Sequence, residues 1–247
     1  MINSLRGIYS SLSSNVERRL FAEYGAIFVT AATPPPALIF NDTVEVEKFQ
    51  SSLRVAGAAL GDHFIELQYE AMKDLTRAAT EIQDRGGCLT ARASDAGRRS
   101  FEDTVRLWTR NVTHGLDHWE SLSRINSARA HEIRNLPSVS QVEVILELEE
   151  VEQLYFGTYF DRSILYSVAA PGASQHLSML AFDVTEFQDE AVEQTLNRLG
   201  WYRTVANDLP HFTFLGHSED ALPKLGLKRV ARLYDGRNYN FWIPELN

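Results

Sequence analysis

The sequence has little or none of several features that mark special classes of protein. Its 247 residues include one cysteine, Cys88, so no disulfide can form within the chain. No stretch approaches the ~20 consecutive apolar residues of a transmembrane helix, and residues 1–14 lack the apolar middle of a signal peptide. Basic residues number 24 against 33 acidic ones, for a formal charge of −9. A chain with this charge repels phosphate backbones, so we do not expect nucleic acid as a partner. Because no long apolar stretch is present, we expect no membrane span.

What the sequence does contain is typical of a folded domain. Hydrophobic residues make up 44% and charged residues 23% of the chain, which is enough apolar material for a sizeable core. The sequence shows no internal repeat and no low-complexity segment, and its one conspicuous break is the proline run at residues 34–36. One domain, or one domain with an N-terminal elaboration, is the simplest organisation.

Helical patterns dominate the middle of the chain, and strand patterns dominate its last third. Helices are predicted at residues 44–53, 69–84, within 98–153 and at 189–199. Strands are predicted at residues 26–30, 37–40, 88–92, 164–168, 179–184, 211–215, 227–233 and 239–243. The glutamates at 147, 149, 150 and 152 indicate a solvated helix face. Helices followed by strands favour an α+β fold in which helices cover a sheet.

Two histidines and an aspartate in the strand-rich part have the chemistry of metal ligands. His176 lies in a predicted loop, and Asp183 lies in the strand that follows it. His211 begins a later strand and is the candidate for a third ligand. Histidine nitrogens and a carboxylate suit Zn²⁺, and three protein ligands leave the fourth position to water.

A further carboxylate lies close to the third ligand along the chain. Asp208 precedes His211 by three residues, and Pro210 between them restricts the backbone. A carboxylate held in such a turn would take a proton from zinc-bound water and pass it to a leaving amine. These residues are the minimal set for amide hydrolysis.

Residues 174–183 resemble a motif of the zinc D-alanyl-D-alanine carboxypeptidases and dipeptidases of the VanY and VanX type. That motif reads Ser-x-His-x-x-Gly-x-Ala-x-Asp. The chain matches it at Ser174, His176, Ala181 and Asp183, and has Met179 in place of the glycine. The family's second motif is a carboxylate, two residues and a histidine, which the chain has as Asp208 to His211, with Asp as in the related endolysins.

The resemblance implies a role for each of these residues. His176, Asp183 and His211 would bind zinc, and Asp208 would be the general base. A weaker likeness of residues 99–104 to the family's Tyr-Arg-Ser-Tyr-x-x-Gln implies that Arg99 polarises the substrate carbonyl or holds a carboxylate. Arg92 competes for that role, and Ser174 would orient the substrate.

The resemblance also implies a fold and a division of the chain. The family shares its fold with L-alanyl-D-glutamate endolysins and the Hedgehog signalling domain, in which an antiparallel sheet is flanked by helices. Residues 86–247 would form this zinc peptidase-like domain. Residues 1–85 would be a helical and strand elaboration packed on it, unless the whole chain is one continuous domain.

By the same resemblance, the chain is expected to be a zinc metallopeptidase. It would hydrolyse peptide bonds next to D-amino acids in peptidoglycan stem peptides or muropeptides, in the periplasm or outside the cell. An alternative is a non-catalytic module on the same fold that binds peptidoglycan or a protein. A third expectation, a cytoplasmic hydrolase of a small dipeptide, is favoured if Met1 is the native start.

Overall fold

Residues 5–206 and 208–246 are described by a computed structural model, in which eight α-helices combine with three small antiparallel sheets. The helices are α1 (Leu5–Ser11), α2 (Asn15–Tyr24), α3 (Thr43–Ser51), α4 (Tyr69–Gln83), α5 (Phe101–Ser121), α6 (Ser127–Arg134), α7 (Ser138–Val151) and α8 (Glu190–Arg198). The strands are β1 (Val55–Leu60), β2 (His63–Gln68), β3 (Ala181–Asp183), β4 (Trp201–Tyr202), β5 (His211–Phe214), β6 (Leu227–Tyr234) and β7 (Arg237–Pro244). The predicted α+β class is confirmed.

Side-chain caps fix where several helices begin. The Asp42 side chain accepts from the backbone at the start of α3, and Ser100 forms a capping box with Asp103 at the start of α5. The helices predicted at residues 44–53, 69–84 and 189–199 are confirmed as α3, α4 and α8. The helical region predicted over 98–153 consists of α5, α6 and α7.

The sheet that matters for function is the central one, with strand order β3-β5-β4. β3 and β5 are antiparallel and place Asp183 directly opposite His211. The other two sheets are hairpins, β1-β2 and β6-β7, and each turns through a glycine with positive φ, Gly61 and Gly236. The β1-β2 hairpin and the short strand β4 had no prediction from the sequence.

Four of the predicted strands are wrong or nearly absent. Residues 25–29 and 164–166 form 3-10 turns, and residues 37–40 are irregular. Residues 88–92 contribute one isolated bridge, between Ala91 and Val184. Short apolar runs are buried in either conformation, so their composition alone cannot distinguish a strand from a buried turn.

Glu149 on α7 is buried, although the acidic residues around it predict an exposed helix face. Its side chain is buried, and the carboxylate accepts hydrogen bonds from the backbone N–H groups of Phe156 at 3.0 Å and Ile164 at 2.6 Å. The Ser163 hydroxyl and Arg19 donate to it as well. The expectation of a solvated face is therefore wrong at this residue, because the carboxylate satisfies a loop that has no ladder partners of its own.

The N-terminal part of the chain shares a hydrophobic core with the strand-rich part. Leu67 and Leu75 lie in the same buried cluster as Phe182, Trp201 and Phe212. The boundary predicted between residues 85 and 86 stays a prediction. Within the described residues, no helix has both the length and the apolar character needed to cross a bilayer.

Candidate metal centre

Three side chains with metal-binding atoms meet at one end of the central sheet. Asp183 ends β3, His211 begins β5, and His176 comes from the 3-10 turn that precedes β3. One ligand atom from each residue lies within 4.8 Å of the others. Among the residues that the structure describes, no other set of three such side chains comes together in this way. The three residues predicted as ligands are thus brought together.

The two histidines face the same carboxylate oxygen. Asp183 Oδ1 lies 3.3 Å from His176 Nε2 and 3.1 Å from His211 Nδ1. The imidazole rings are 4.9 Å apart and inclined at 74°. Arg99 Nη2 donates to the second oxygen, Asp183 Oδ2, at 2.7 Å. The arginine therefore holds the carboxylate so that Oδ1 points to the histidines.

The His176 ring presents an unprotonated nitrogen to Asp183 Oδ1. Burial, together with the charge of Arg99, lowers the pKa of His176 to about 4, so the ring is neutral at pH 7. Its Nδ1 lies 2.8 Å from the Gly97 carbonyl, which can only accept, so Nδ1 carries the ring proton. The buried Nε2 has no hydrogen-bond partner. A cation placed between this lone pair and the carboxylate oxygen would satisfy both.

The environment of Asp183 also favours a bound cation. The Arg99 guanidinium, which donates to Oδ2 at 2.7 Å, favours the charged form of this carboxylate. Two imidazole nitrogens and one carboxylate oxygen are a donor set that fits Zn²⁺, with a fourth position left for water or substrate.

Amide groups from the N-terminal part hold the turn Gln175–Ser178 in place. Gln50 Nε2 donates to the Leu177 carbonyl at 3.0 Å, and Gln68 Nε2 donates to the Ser178 carbonyl at 2.8 Å. Both glutamines are buried, so water cannot replace these bonds. Residues 1–85, for which the sequence indicated no role in the site, thus help to form it.

Met179, which ends this turn, has a left-handed backbone. Its φ is 57° and its ψ 33°, while its side chain is fully buried. Left-handed backbone is strained for a residue with a Cβ and is free of that strain for glycine. The position is therefore one at which the glycine of the resembling motif would fit without strain.

A pocket of about 500 Å³ opens beside the ligand atoms. All the residues predicted for the site line it: Arg92, Arg99, Ser174, His176, Asp183, Asp208 and His211. Arg99 is engaged by Asp183 and by the backbone carbonyl of Asp95. Its predicted role in polarising a substrate carbonyl stays a prediction.

Asp208 lies on the wall of this pocket. Its side chain reaches solvent, but the surrounding protein withholds part of its hydration and so raises the pKa of the carboxyl. The His211 ring, Arg99 and Arg92 act in the opposite direction, and Asp183 adds to the increase. A carboxylate with a raised pKa is a stronger base than an ordinary aspartate.

A buried arginine that the sequence did not single out holds the loop of Asp208. Arg203 is 1% exposed, and its Nε donates to the Leu209 carbonyl at 2.8 Å. Its Nη2 donates to the Phe187 carbonyl at 2.6 Å, and Nη1 lies 2.7 Å from Glu193 Oε1. One guanidinium thus ties together the loops that follow β3 and precede β5. An isolated arginine after an aromatic pair gives no sequence signal for this role.

The pocket also carries positive charge beyond the predicted residues. Arg110 on α5 lines it together with Arg92, and both side chains are exposed. Neither has an ion-pair partner among residues 5–206 and 208–246. Arg110 lies inside α5, whereas Arg99 precedes the N-cap Ser100, and the sequence alone does not connect Arg110 with the site.

The comparisons with known proteins add nothing to this geometry. No family model matches the chain, and searches of curated proteins and of solved structures found no significant match.

Proposed function

We propose that the protein is a zinc-dependent peptidase that cleaves D-amino-acid-containing peptide bonds of bacterial cell-wall peptides. The observation that carries the proposal is the convergence of three ligand atoms, from His176, Asp183 and His211, within 4.8 Å at the side of a pocket. The two histidines direct nitrogens at one carboxylate oxygen, an arrangement that a metal ion would satisfy. The residues match, in order and spacing, the motif of the zinc D-alanyl-D-alanine carboxypeptidases.

When bound, Zn²⁺ would supply Lewis acidity and make water acidic enough to lose a proton near neutral pH. Asp208 would accept that proton at a carboxylate oxygen and deliver it to the leaving amine. Its raised pKa suits both steps, because a carboxyl group with a higher pKa binds a proton more readily. Arg99 would hold the carboxylate of Asp183 in its orientation toward the metal.

The free charges of the pocket support an acidic peptide as substrate. Arg92 and Arg110 offer guanidinium groups without carboxylate partners in the described structure, and such groups bind carboxylates by two parallel hydrogen bonds. Stem peptides of peptidoglycan end in a carboxylate, so they meet this requirement. They lie outside the cytoplasmic membrane, and the proposed site of action is therefore the periplasm or the cell exterior.

The left-handed backbone at Met179 supports the finer assignment of the fold. The Hedgehog and D-alanyl-D-alanine peptidase fold has a glycine at this place in its motif, and this chain has a backbone that favours glycine there. We include this fold in the proposal on that ground and on the order of the motif residues.

The first test is the zinc content of the purified protein, measured by elemental analysis. We expect close to one zinc per chain, and its loss in His176→Ala and His211→Ala. His114→Ala is the matched control, because His114 contacts the ring of Phe160 away from the ligand cluster. Zinc retained by both ligand variants, in protein that circular dichroism shows to be folded, would refute the metal site.

The second test separates metal binding from catalysis. Asp208→Asn is expected to keep its zinc and to lose turnover of muropeptides, because the amide cannot accept the proton. Loss of zinc from this variant would contradict the role given to Asp208. Muropeptides that the zinc-loaded chain binds and returns unchanged would refute the peptidase and favour the non-catalytic binding module.

A further inference from the structure

We propose that Gln175 fixes the tautomer of His211, so that Nε2 carries the ring proton and Nδ1 presents its lone pair to a metal ion. This inference rests on the metal site of the proposed function and not on the peptidase reaction. Gln175 is a positioning residue in this assignment, because it acts on the metal only through His211.

The orientation of the Gln175 amide is set by a backbone carbonyl. Its Nε2 donates to the carbonyl of Tyr24, the last residue of α2, at 3.0 Å. A carbonyl only accepts, so the NH₂ group must face Tyr24 and Oε1 must face the opposite way. The side chain is 3% exposed. Turning the amide over would bring two oxygens together where no water can separate them, at a cost typical of buried unpaired groups.

The amide oxygen oriented in this way faces hydrogen-bond donors. The Thr213 hydroxyl lies 2.5 Å from Gln175 Oε1, and the Thr204 hydroxyl lies 2.7 Å from that of Thr213 and 3.3 Å from the amide oxygen. His211 Nε2 lies 2.9 Å from the same oxygen. An amide oxygen cannot donate, so the imidazole nitrogen that faces it must carry a proton. With the proton on Nε2, Nδ1 is the ring nitrogen left to bind a metal ion, and it lies 3.1 Å from Asp183 Oδ1.

The assignment matters because Asp183 favours the opposite tautomer. A carboxylate attracts a donor, so without Gln175 the ring proton would be drawn to Nδ1 and would block the atom needed for the metal. Gln175 keeps the proton on the far side of the ring. A series of contacts therefore runs from the Tyr24 carbonyl, through Gln175, to His211, and links the N-terminal part of the chain to the metal centre.

The direct test is a long-range ¹H–¹⁵N correlation spectrum of the full chain labelled with ¹⁵N-histidine, recorded metal-free and zinc-loaded. The sequence has seven histidines, and the His211→Gln variant identifies the signals of His211. We expect Nε2 of His211 to be protonated in both states. A bare Nε2 in either state would overturn the assignment. This measurement uses the unmodified chain and depends on no variant being stable.

Variants then test whether Gln175 is the cause. Gln175→Met has a similar volume but no amide oxygen, and we expect it to lose the preference for the Nε2-protonated tautomer and to bind zinc about 10- to 100-fold more weakly. Gln175→Glu keeps an oxygen acceptor and is expected to keep the tautomer. Gln141→Met is the matched control, since it removes another buried amide, one that donates to the Ile133 carbonyl and does not line the pocket.

Zinc affinity is measured by competition with a chromophoric chelator. An unchanged tautomer and affinity in Gln175→Met, or an equal loss in Gln141→Met, would overturn the inference. Peptide turnover enters neither measurement. A chain that binds zinc with this tautomer but cleaves no peptide would therefore refute the proposed function and leave this inference standing.

Discussion

The left-handed backbone of Met179 leads to an unusual prediction about stability. At an ordinary buried position, glycine is less stabilising than alanine by about 0.5–1 kcal/mol, because the unfolded chain gains freedom. At Met179, with φ at 57°, alanine would keep a left-handed strain of about 1–2 kcal/mol that glycine does not have. We therefore expect Met179→Gly to be more stable than Met179→Ala by about 1 kcal/mol, the reverse of the usual order.

Both variants should still be less stable than the unmodified chain. The Met179 side chain is fully buried, and truncation of a buried methionine to alanine costs roughly 2–5 kcal/mol. Relief of the strain offsets only part of this loss in the glycine variant. The net destabilisation is thus expected to be about 1–4 kcal/mol for glycine and 2–5 kcal/mol for alanine.

Urea unfolding followed by tryptophan fluorescence gives the required free energies. Met72→Gly and Met72→Ala are the matched pair, because Met72 is buried near the start of α4, where the backbone is helical and alanine should be the more stable of the two. If alanine is also the more stable residue at position 179, the strain argument is refuted. Zinc content should follow the same order at position 179, since the turn that ends there carries His176.

Other predictions concern groups around the pocket. Glu149→Ala should lower the unfolding free energy by about 3 kcal/mol in urea melts, since two buried N–H groups lose their acceptor; a loss below about 1 kcal/mol would contradict this. Burial raises the pKa of Glu149 above its ordinary 4.5, so the folded chain keeps that proton to higher pH than the unfolded chain. As the pH rises above 4.5, the unfolding free energy should therefore fall more steeply in the unmodified chain than in Glu149→Gln. Equal slopes of unfolding free energy against pH in the two proteins would contradict the raised pKa of Glu149. Arg110→Glu should raise the KM for an acidic peptide about tenfold by reversing a charge in the pocket; Arg85→Glu, an equal charge change outside the pocket, should leave it unaltered. Arg203→Lys keeps the charge but loses the forked contacts, so it should cost about 2 kcal/mol and lower kcat more than zinc content; unchanged kcat would remove its positioning role.

Much of the site could be predicted because metal ligands need particular side chains at particular spacings. His176, Asp183 and His211 stand out as residue types, and Asp183 and His211 lie in segments with strand patterns. The long helices were predictable for a related reason: α4 and α5 have apolar residues at helical spacing and recognisable caps.

The remainder depended on contacts between distant segments. Gln175 is an unremarkable residue in the sequence, and its role appears only when the Tyr24 carbonyl and His211 are placed on either side of it. Arg110 is directed into the pocket by the packing of α5, which one sequence does not encode locally. Residues 26–30 are apolar enough for a strand, but no strand of the described part of the chain pairs with them, and residues 25–29 form a 3-10 turn.

The opposition of Asp183 and His211 across two adjacent strands has a mechanical consequence. A metal ion bound by both side chains would act as a cross-link between β3 and β5, which are only three and four residues long. A shift of one residue would place Phe212 opposite Asp183 and turn the histidine to the other face, so a bound ion would admit a single alignment. Zinc would then slow amide hydrogen exchange in β3 and β5 far more than in the β6-β7 hairpin. Comparing the exchange rates of the two regions with and without zinc would therefore report whether the ion is bound.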